Sequence, residues 1–189
     1  MKIKLVLAAI FLIPSLALAS PCEAPEFEPF VQHEDSGGEN PYWAAVEVNM
    51  QPVATLSVPT GFSKMGGLPY GSIIFGGHPG GISAVLTFET RQTLAVHRQD
   101  VTPATFMLSL FKGLDEVGCR YMEGQNLADE DYRLYARLDE NAELFAYGSS
   151  DTHQFYVIRQ DRPEEVLSGL FKNITRAQFE RILSTIKTK

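Results

Sequence analysis

The chain has 189 residues, which is the length of one domain with room for a small appendage. Hydrophobic residues make up 44% of the chain and charged residues 21%, so a packed core is possible and wholesale disorder is excluded. A formal net charge of -7 argues against a general nucleic-acid binder, and two cysteines are too few for a small disulfide-stapled scaffold.

The start of the chain has the three-part layout of a secretory signal peptide, which we assign to residues 1–19. Lys2 and Lys4 precede an apolar run, and a small-residue site ends at Ala19, so cleavage is expected before Ser20. A retained membrane anchor is the alternative, but the run is well short of the roughly 20 apolar residues that a span needs. We therefore expect a periplasmic or secreted protein that has no membrane span after signal removal.

Cleavage makes the chain more acidic. The loss of Lys2 and Lys4 changes the formal net charge from -7 to -9. Such a charge favours cationic partners, such as a basic protein or a metal ion, and disfavours anionic membranes. Ordinary solubility explains the same charge without any partner. We expect the partner to be another exported protein, with a basic one favoured, and no nucleic acid.

Cys22 and Cys119 are both retained in the mature chain. In an oxidising compartment, an even pair of cysteines suggests a disulfide. This bond would close a loop of about 100 residues and tie the Pro-rich and Glu-rich segment 21–29 to the body of the domain. Two free thiols are the alternative, and a catalytic thiol lacks support because the sequence contains no Cys-x-x-Cys pair.

The mature chain divides into an N-terminal arm and loop over residues 20–42 and a single domain over residues 43–189. Within the domain, β-rich stretches are separated by turns that are rich in Gly, Asp and Asn. Strands are predicted, in chain order, at residues 44–48, 53–58, 72–75, 82–88, 93–97, 132–138, 144–147, 154–159 and 166–171.

Two helices are predicted from their capping signals. Thr102 fits an N-cap before Pro103 at the first helical position, and Gly113 or Gly118 would end this helix. The final helix begins at Thr175 with a capping box and buries an apolar face of Phe179, Ile182, Leu183 and Ile186. Strands outnumber helices without a regular alternation, so the sequence predicts an α+β domain in which helices cover a mostly antiparallel sheet.

Two short motifs resemble a known superfamily. Residues 55–62, TLSVPTGF, look like the opening strand of the PsbP-like superfamily, which includes the DcrB-like periplasmic proteins and has a V-P-x-G-W/F pattern there. A hairpin through residues 155–158 and 166–171, followed by a closing helix over residues 179–187, is a second similarity. Over residues 53–187, the resemblance implies an αβα sandwich in a superfamily whose members mostly bind or assist other proteins.

The sequence contains no hydrolase, metalloprotease, P-loop or EF-hand motif, and we predict no cofactor and no metal site. His78 is the strongest candidate for ligand binding, because flanking glycines such as Gly77 and Gly80 let a backbone approach a ligand closely. A flexible turn is the alternative interpretation of this run. Trp43 is a further candidate, as part of an aromatic contact surface, although large aromatic residues more commonly anchor a core.

The other histidines each have a functional and a structural interpretation. His33 precedes two acidic residues that would suit a metal, but such loop residues are more often solvated. His97, and His153 next to Asp151, would suit a hydrolase if they converged on a hydroxyl group in space. The sequence does not show that convergence.

The sequence therefore favours an exported, non-catalytic binding or accessory protein of the bacterial periplasm that acts through protein–protein contact. An immunity protein that neutralises a secreted toxin is a sharper alternative, because a tight inhibitor needs only a complementary surface. A small-ligand-binding protein and an unrecognised hydrolase are the remaining alternatives.

Overall fold

The structure is a computed structural model and describes residues 25–32, 45–59, 64–68, 71–77, 81, 83–113 and 127–188. These residues form ten strands, two α-helices and a short 3₁₀ turn at Leu127–Asp129. The strands are β1 (Glu28–Pro29), β2 (Ala45–Met50), β3 (Ala54–Pro59), β4 (Lys64–Gly67), β5 (Ile73–Gly76), β6 (Ser83–Glu89), β7 (Tyr132–Arg137), β8 (Ala142–Ser149), β9 (Thr152–Arg159) and β10 (Val166–Lys172). The helices are α1 (Pro103–Lys112) and α2 (Arg176–Ser184).

Eight of these strands form one sheet, in the order β1-β7-β8-β9-β10-β6-β5-β4. Neighbouring strands run antiparallel except β1, which is parallel to β7 and pairs Glu28 with Leu134. Short turns join β7 through β10 in chain order, as antiparallel neighbours allow. The other two strands, β2 and β3, form a separate antiparallel hairpin.

The central strands of the sheet are buried on both faces. Seven of the eight residues of β8 and six of the eight residues of β9 are buried. One face, the hairpin face, packs against α2 and the β2–β3 hairpin, with Phe155, Phe171 and Phe179 in contact at its centre. The other, the α1 face, packs against α1, where Phe111 stacks on Phe145 at 4.7 Å. The central strands therefore lie between two layers of core and contribute side chains to both.

The β2–β3 hairpin covers the main sheet instead of joining it. Thr55 N–H donates to Lys187 O, and Lys187 N–H donates to Thr55 O, each at 2.9 Å. Ser57 N–H donates to Thr185 Oγ1 at 2.8 Å. Residues near the end of the chain thus provide hydrogen-bond partners for backbone groups along the outer edge of β3. The apolar side chains of the hairpin are buried against the sheet.

The prediction of an α+β domain, an αβα sandwich whose antiparallel sheet is covered by helices, is wrong. The described chain is mostly β, with one large mixed sheet and two short helices of 10 and 9 residues. A helix of that size is about 15 Å long, whereas eight strands at about 4.8 Å spacing extend about 34 Å. One helix therefore covers only part of a face, and on the hairpin face a pair of strands supplies further cover.

Both predicted helix starts are confirmed. The Thr102 side chain caps α1, Pro103 is at the start of the helix, and Gly113 ends it with a φ of 59°. Thr175 and Gln178 form the reciprocal bonds of a capping box at the start of α2. The predicted apolar face is buried at Phe179, Ile182, Leu183 and Ile186.

The strand predicted at residues 93–97 is wrong, because residues 91–95 form turns. Local hydrogen bonds account for the difference: Leu94 N–H donates to Thr90 O and Val96 N–H donates to Arg91 O, so these donors are used within turns instead of a sheet ladder. The loop that follows is held by Arg91, whose guanidinium pairs with Glu164 at 2.8 Å and donates to the carbonyl oxygens of Arg98, Gln99 and Val101.

Replacing Gly169 with alanine tests the packing of the central strands. A Cβ at this position would overlap the ring of Phe155, which is fully buried between the sheet and α2. We expect Gly169→Ala to lower the free energy of unfolding by about 1–3 kcal/mol in urea denaturation. The matched control is Gly76→Ala in β5, where a Cβ meets nothing within 4 Å and the change should stay within about 0.5 kcal/mol. Equal stability of the two variants would contradict this packing.

Candidate functional site

Most of the predicted glycine-rich ligand site lies outside the described residues. This applies to His78, Gly80 and Trp43. Gly77 is described: it follows β5, is exposed and has a φ of 84°, and Gly81 at the other end of the loop has a φ of 75°. Positive φ at both ends turns the chain between β5 and β6, as glycine readily allows. Ligand binding at this loop stays a prediction.

His153, a candidate for a hydrolase site from its sequence, is a core residue. It is 1% exposed, and its two ring nitrogens contact Ile174 O at 2.8 Å and the Tyr132 hydroxyl at 2.7 Å. A carbonyl oxygen only accepts, so Nε2 donates to it, and in the neutral ring Nδ1 accepts from the tyrosine hydroxyl. Neither nitrogen remains for a nucleophile or a metal. His97 is exposed, and His33 lies outside the described residues.

A segment near the start of the chain, residues 25–32, lies along the outer edge of β7 and is here called the arm. Its short strand β1 pairs with β7. On the α1 face, the ring of Phe27 meets Phe111 and Phe145 edge-on, at centroid distances of 5.9 Å and 5.3 Å. Edge-to-face aromatic contacts of this kind add to the gain from burial. The arm is therefore fixed to the core that α1 covers.

The arm also contacts the hairpin face. Phe30 N–H donates to Tyr135 O at 2.7 Å, and the Phe30 side chain packs against that core. The Gln32 side-chain amide donates to Leu183 O at 3.3 Å and to Ile186 O at 3.1 Å. Leu183 is in the last turn of α2, where its carbonyl oxygen also accepts from Ile186 N–H, and Ile186 follows the helix, so Gln32 binds the C-terminal end of α2 and the turn after it. The arm thus joins the edge of the sheet to α2.

Between the arm and α2 lies a groove of about 490 Å³. This volume is within the range of sites that bind small molecules or side chains of a partner. Its apolar walls consist of Phe30, Val31, Leu134 and Ala177. Val31 is 66% exposed, so a large aliphatic side chain faces solvent in the groove.

The charged residues of the groove are arranged around Arg176. Its Nε lies 2.6 Å from Glu180 Oε1, and its Nη2 lies 3.6 Å from Glu28 Oε2. The guanidinium also lies 4.4 Å above the ring of Tyr132, in a cation–π arrangement. The hydrogen bond to Glu180 raises the pKa of Arg176. Arg176 is therefore oriented and neutralised from within the protein.

The groove offers shape and charge instead of a reacting group. Ser184 provides a hydroxyl in its lining, and Ser184 Oγ donates to Arg181 O at 2.8 Å. No nucleophile and base are brought into contact among the described lining residues. The arrangement suits recognition of another molecule by burial of apolar surface and by charge complementarity.

The sequence does not predict this groove. It predicts an arm and loop over residues 20–42, of which a disulfide would tie segment 21–29 to the domain. Phe27 and Phe30 could have indicated that the arm contacts the core, because they are two large apolar residues within a Pro-rich and Glu-rich segment. Residues of this kind commonly mark a segment that packs against a core.

In the described part of the chain, no three His, Cys, Asp or Glu side chains are grouped closely enough to hold a metal ion. Neither helix there has the length and apolar character needed to cross a membrane. No known protein family matches the chain, and no curated protein or solved structure matches it either. The resemblance to the PsbP-like superfamily stays a prediction.

Proposed function

We propose that this chain is an exported, non-catalytic protein that binds another exported protein through the groove between the arm and α2. The observation that carries the proposal is the groove itself, whose apolar walls surround charges that already have partners. The buried centres of protein interfaces combine apolar contact with satisfied polar groups in the same way. The signal-peptide pattern of residues 1–19 supports export.

Val31 is the apolar contact that the partner would cover. Its side chain is 66% exposed at the groove, whereas its neighbour Phe30 is packed against the core. Covering a fully exposed valine is favourable by roughly 1.5–3 kcal/mol, so covering the 66% of Val31 that is exposed contributes about two-thirds of this, about 1–2 kcal/mol. A partner that inserts an apolar side chain beside Val31 would gain this free energy and leave the pairing of Arg176 unchanged.

The charge of the whole protein favours a basic partner, and Glu28 offers such a partner an exposed carboxylate. The groove itself is formally neutral, because its lining contains two glutamates, Glu28 and Glu180, and two arginines, Arg176 and Arg181. Glu28 is 69% exposed and lies 3.6 Å from Arg176, while Glu180 lies only 2.6 Å from the same guanidinium. A lysine or arginine of the partner can therefore pair with Glu28 without separating the closer pair. The net charge of -9 on the mature chain, from the composition, would steer a basic protein towards it.

Val31→Asp should abolish capture of the partner. A carboxylate placed in an apolar interface loses its hydration, and a cost above about 1.4 kcal/mol weakens binding more than about tenfold. The measurement is affinity capture by the tagged mature chain, residues 20–189, from periplasmic extract, with quantitative mass spectrometry of the captured proteins.

Val46→Asp is the matched control. Val46 is 47% exposed in β2, away from the groove lining, so the same change should leave capture unchanged. Thermal unfolding checks that both variants are folded. Capture that is equal for the two variants, or the absence of any captured protein, contradicts the proposal. A captured enzyme that the chain inhibits would make the chain an immunity protein.

We also propose the disulfide between Cys22 and Cys119, which both lie outside the described residues. Support comes from described residues near each cysteine in sequence, because the rings of Phe27 and Phe111 are 5.9 Å apart. The exported chain should gain two hydrogen atoms in mass on reduction, and Cys22→Ser should lower stability by up to about 4 kcal/mol. Alkylation of both thiols without reductant would contradict the bond.

A further inference from the structure

The two edges of the eight-stranded sheet differ in how they are protected. At one edge, β1 has only two residues, and Pro29 has no N–H to offer another strand. At the other edge, β4 and the following Leu68 form a run of five exposed residues. Met65 is 71% exposed and Leu68 is 48% exposed. The outer backbone edge of β4 is therefore open for pairing with another chain, while its four-residue length and Lys64 limit the strength of such pairing.

The register of β4 shows which backbone groups face outward. Leu68 N–H donates to Ser72 O at 2.8 Å, and bonded pairs alternate along an antiparallel ladder. The pair of Gly66 with Ile74 is therefore bonded towards β5. Met65 and Gly67 fall at the positions between, so their N–H and C=O groups point away from the sheet.

We propose that β4 pairs antiparallel with β4 of a second copy of this chain, with the two-fold axis at Gly66. In this register, Met65 of one copy lies opposite Gly67 of the other, and each of the two pairs exchanges both backbone hydrogen bonds. Two eight-stranded sheets then join into one continuous sheet. The interface is isologous, as in most symmetric dimers.

The side chains of β4 are complementary to themselves in this register. A Cβ built on Gly66 or Gly67 meets nothing within 4 Å in a single copy, so space is open beside both residues. Met65, with its large apolar side chain, would cover the space over Gly67 of the second copy. Gly66 lies at the pair on the axis, where the strands approach most closely, at about 4.5 Å between Cα atoms.

Charge placement also agrees with a second copy. Lys64 lies opposite Leu68 of the other copy, so the two ammonium groups stand at opposite ends of the interface. A direct pairing of like charges, which would be unfavourable across strands, is avoided. Each copy contributes one short edge strand, which buries less than the roughly 800 Å² per partner of a standard interface. The dimer is therefore weak, with a dissociation constant of roughly 10 μM to 1 mM.

Gly66→Lys tests the pairing. The new side chain has open space in the single copy, but in the dimer it places two ammonium groups across the axis. Sedimentation equilibrium of the mature chain should show a mass that rises towards twice the monomer with concentration, and Gly66→Lys should remain monomeric. Ala45→Lys, which adds the same charge at an exposed position of β2, should behave as the unmodified chain.

A cysteine on the axis provides a positive test. The expected Cα separation suits a disulfide, so Gly66→Cys should form a covalent dimer on mild oxidation, whereas Ala45→Cys should not. The proposal is overturned if the unmodified chain stays monomeric at millimolar concentration. This holds even if β4 pairs with an extended peptide of another protein, because the proposed occupant is a second copy of this chain. Equal dimerisation of Gly66→Lys and Ala45→Lys also overturns it. The groove lining contains no residue of β4, so partner capture and self-association are separable.

Discussion

Burial of the central strands β8, β9 and β10 on both faces is the constraint on which the other features of the fold depend. Their side chains contribute to two separate clusters of core residues, one under α1 and one under α2 and the hairpin. Phe155 fills the space over Gly169 on one face, and Phe145 stacks on Phe111 on the other. Each face of the sheet has more apolar surface than one short helix can cover. The β2–β3 hairpin and the arm therefore cover the rest.

The arm belongs to this cover and also closes an edge. Phe27 contributes to the core under α1, and Phe30 packs against the core on the other face, so a short segment contacts both layers. Its parallel pairing with β7 ends the sheet with a proline at the edge, which discourages further strand addition there. The groove is the space that remains between this segment and α2. The proposed binding surface is thus a consequence of how the sheet is enclosed.

Local features were predictable from the sequence because their causes are local. The caps at Thr102 and Thr175 depend on side chains and backbone within one helical turn, and the structure confirms both. The turns between β7 and β10 follow from short polar segments between apolar runs. The strand prediction at residues 93–97 is wrong because the N–H groups of Leu94 and Val96 donate within local turns, an effect that apolar periodicity does not contain.

Features that depend on distant residues were not predictable in this way. Alternation identifies β2 and β3 as strands, but it does not reveal that their hairpin stays outside the eight-stranded sheet, packs over it and is bridged to Lys187 at Thr55. The fold class was wrong for that reason. The groove combines residues 28–31 with residues 176–184, near opposite ends of the chain, and no motif connects them. The sequence also makes His153 a candidate for catalysis, whereas in the structure its side chain is buried in the core.

The central claim is that the arm is a fixed strand of the sheet and forms one wall of the groove. The most direct test is amide hydrogen exchange of the mature chain, followed at the Phe30 N–H that donates to Tyr135 O. The account predicts exchange slowed by at least about 100-fold relative to an unfolded peptide, because this N–H opens only when β1 leaves β7. Exchange of the Phe30 amide at the rate of an unfolded peptide, while β8 and β9 remain protected, would contradict the account.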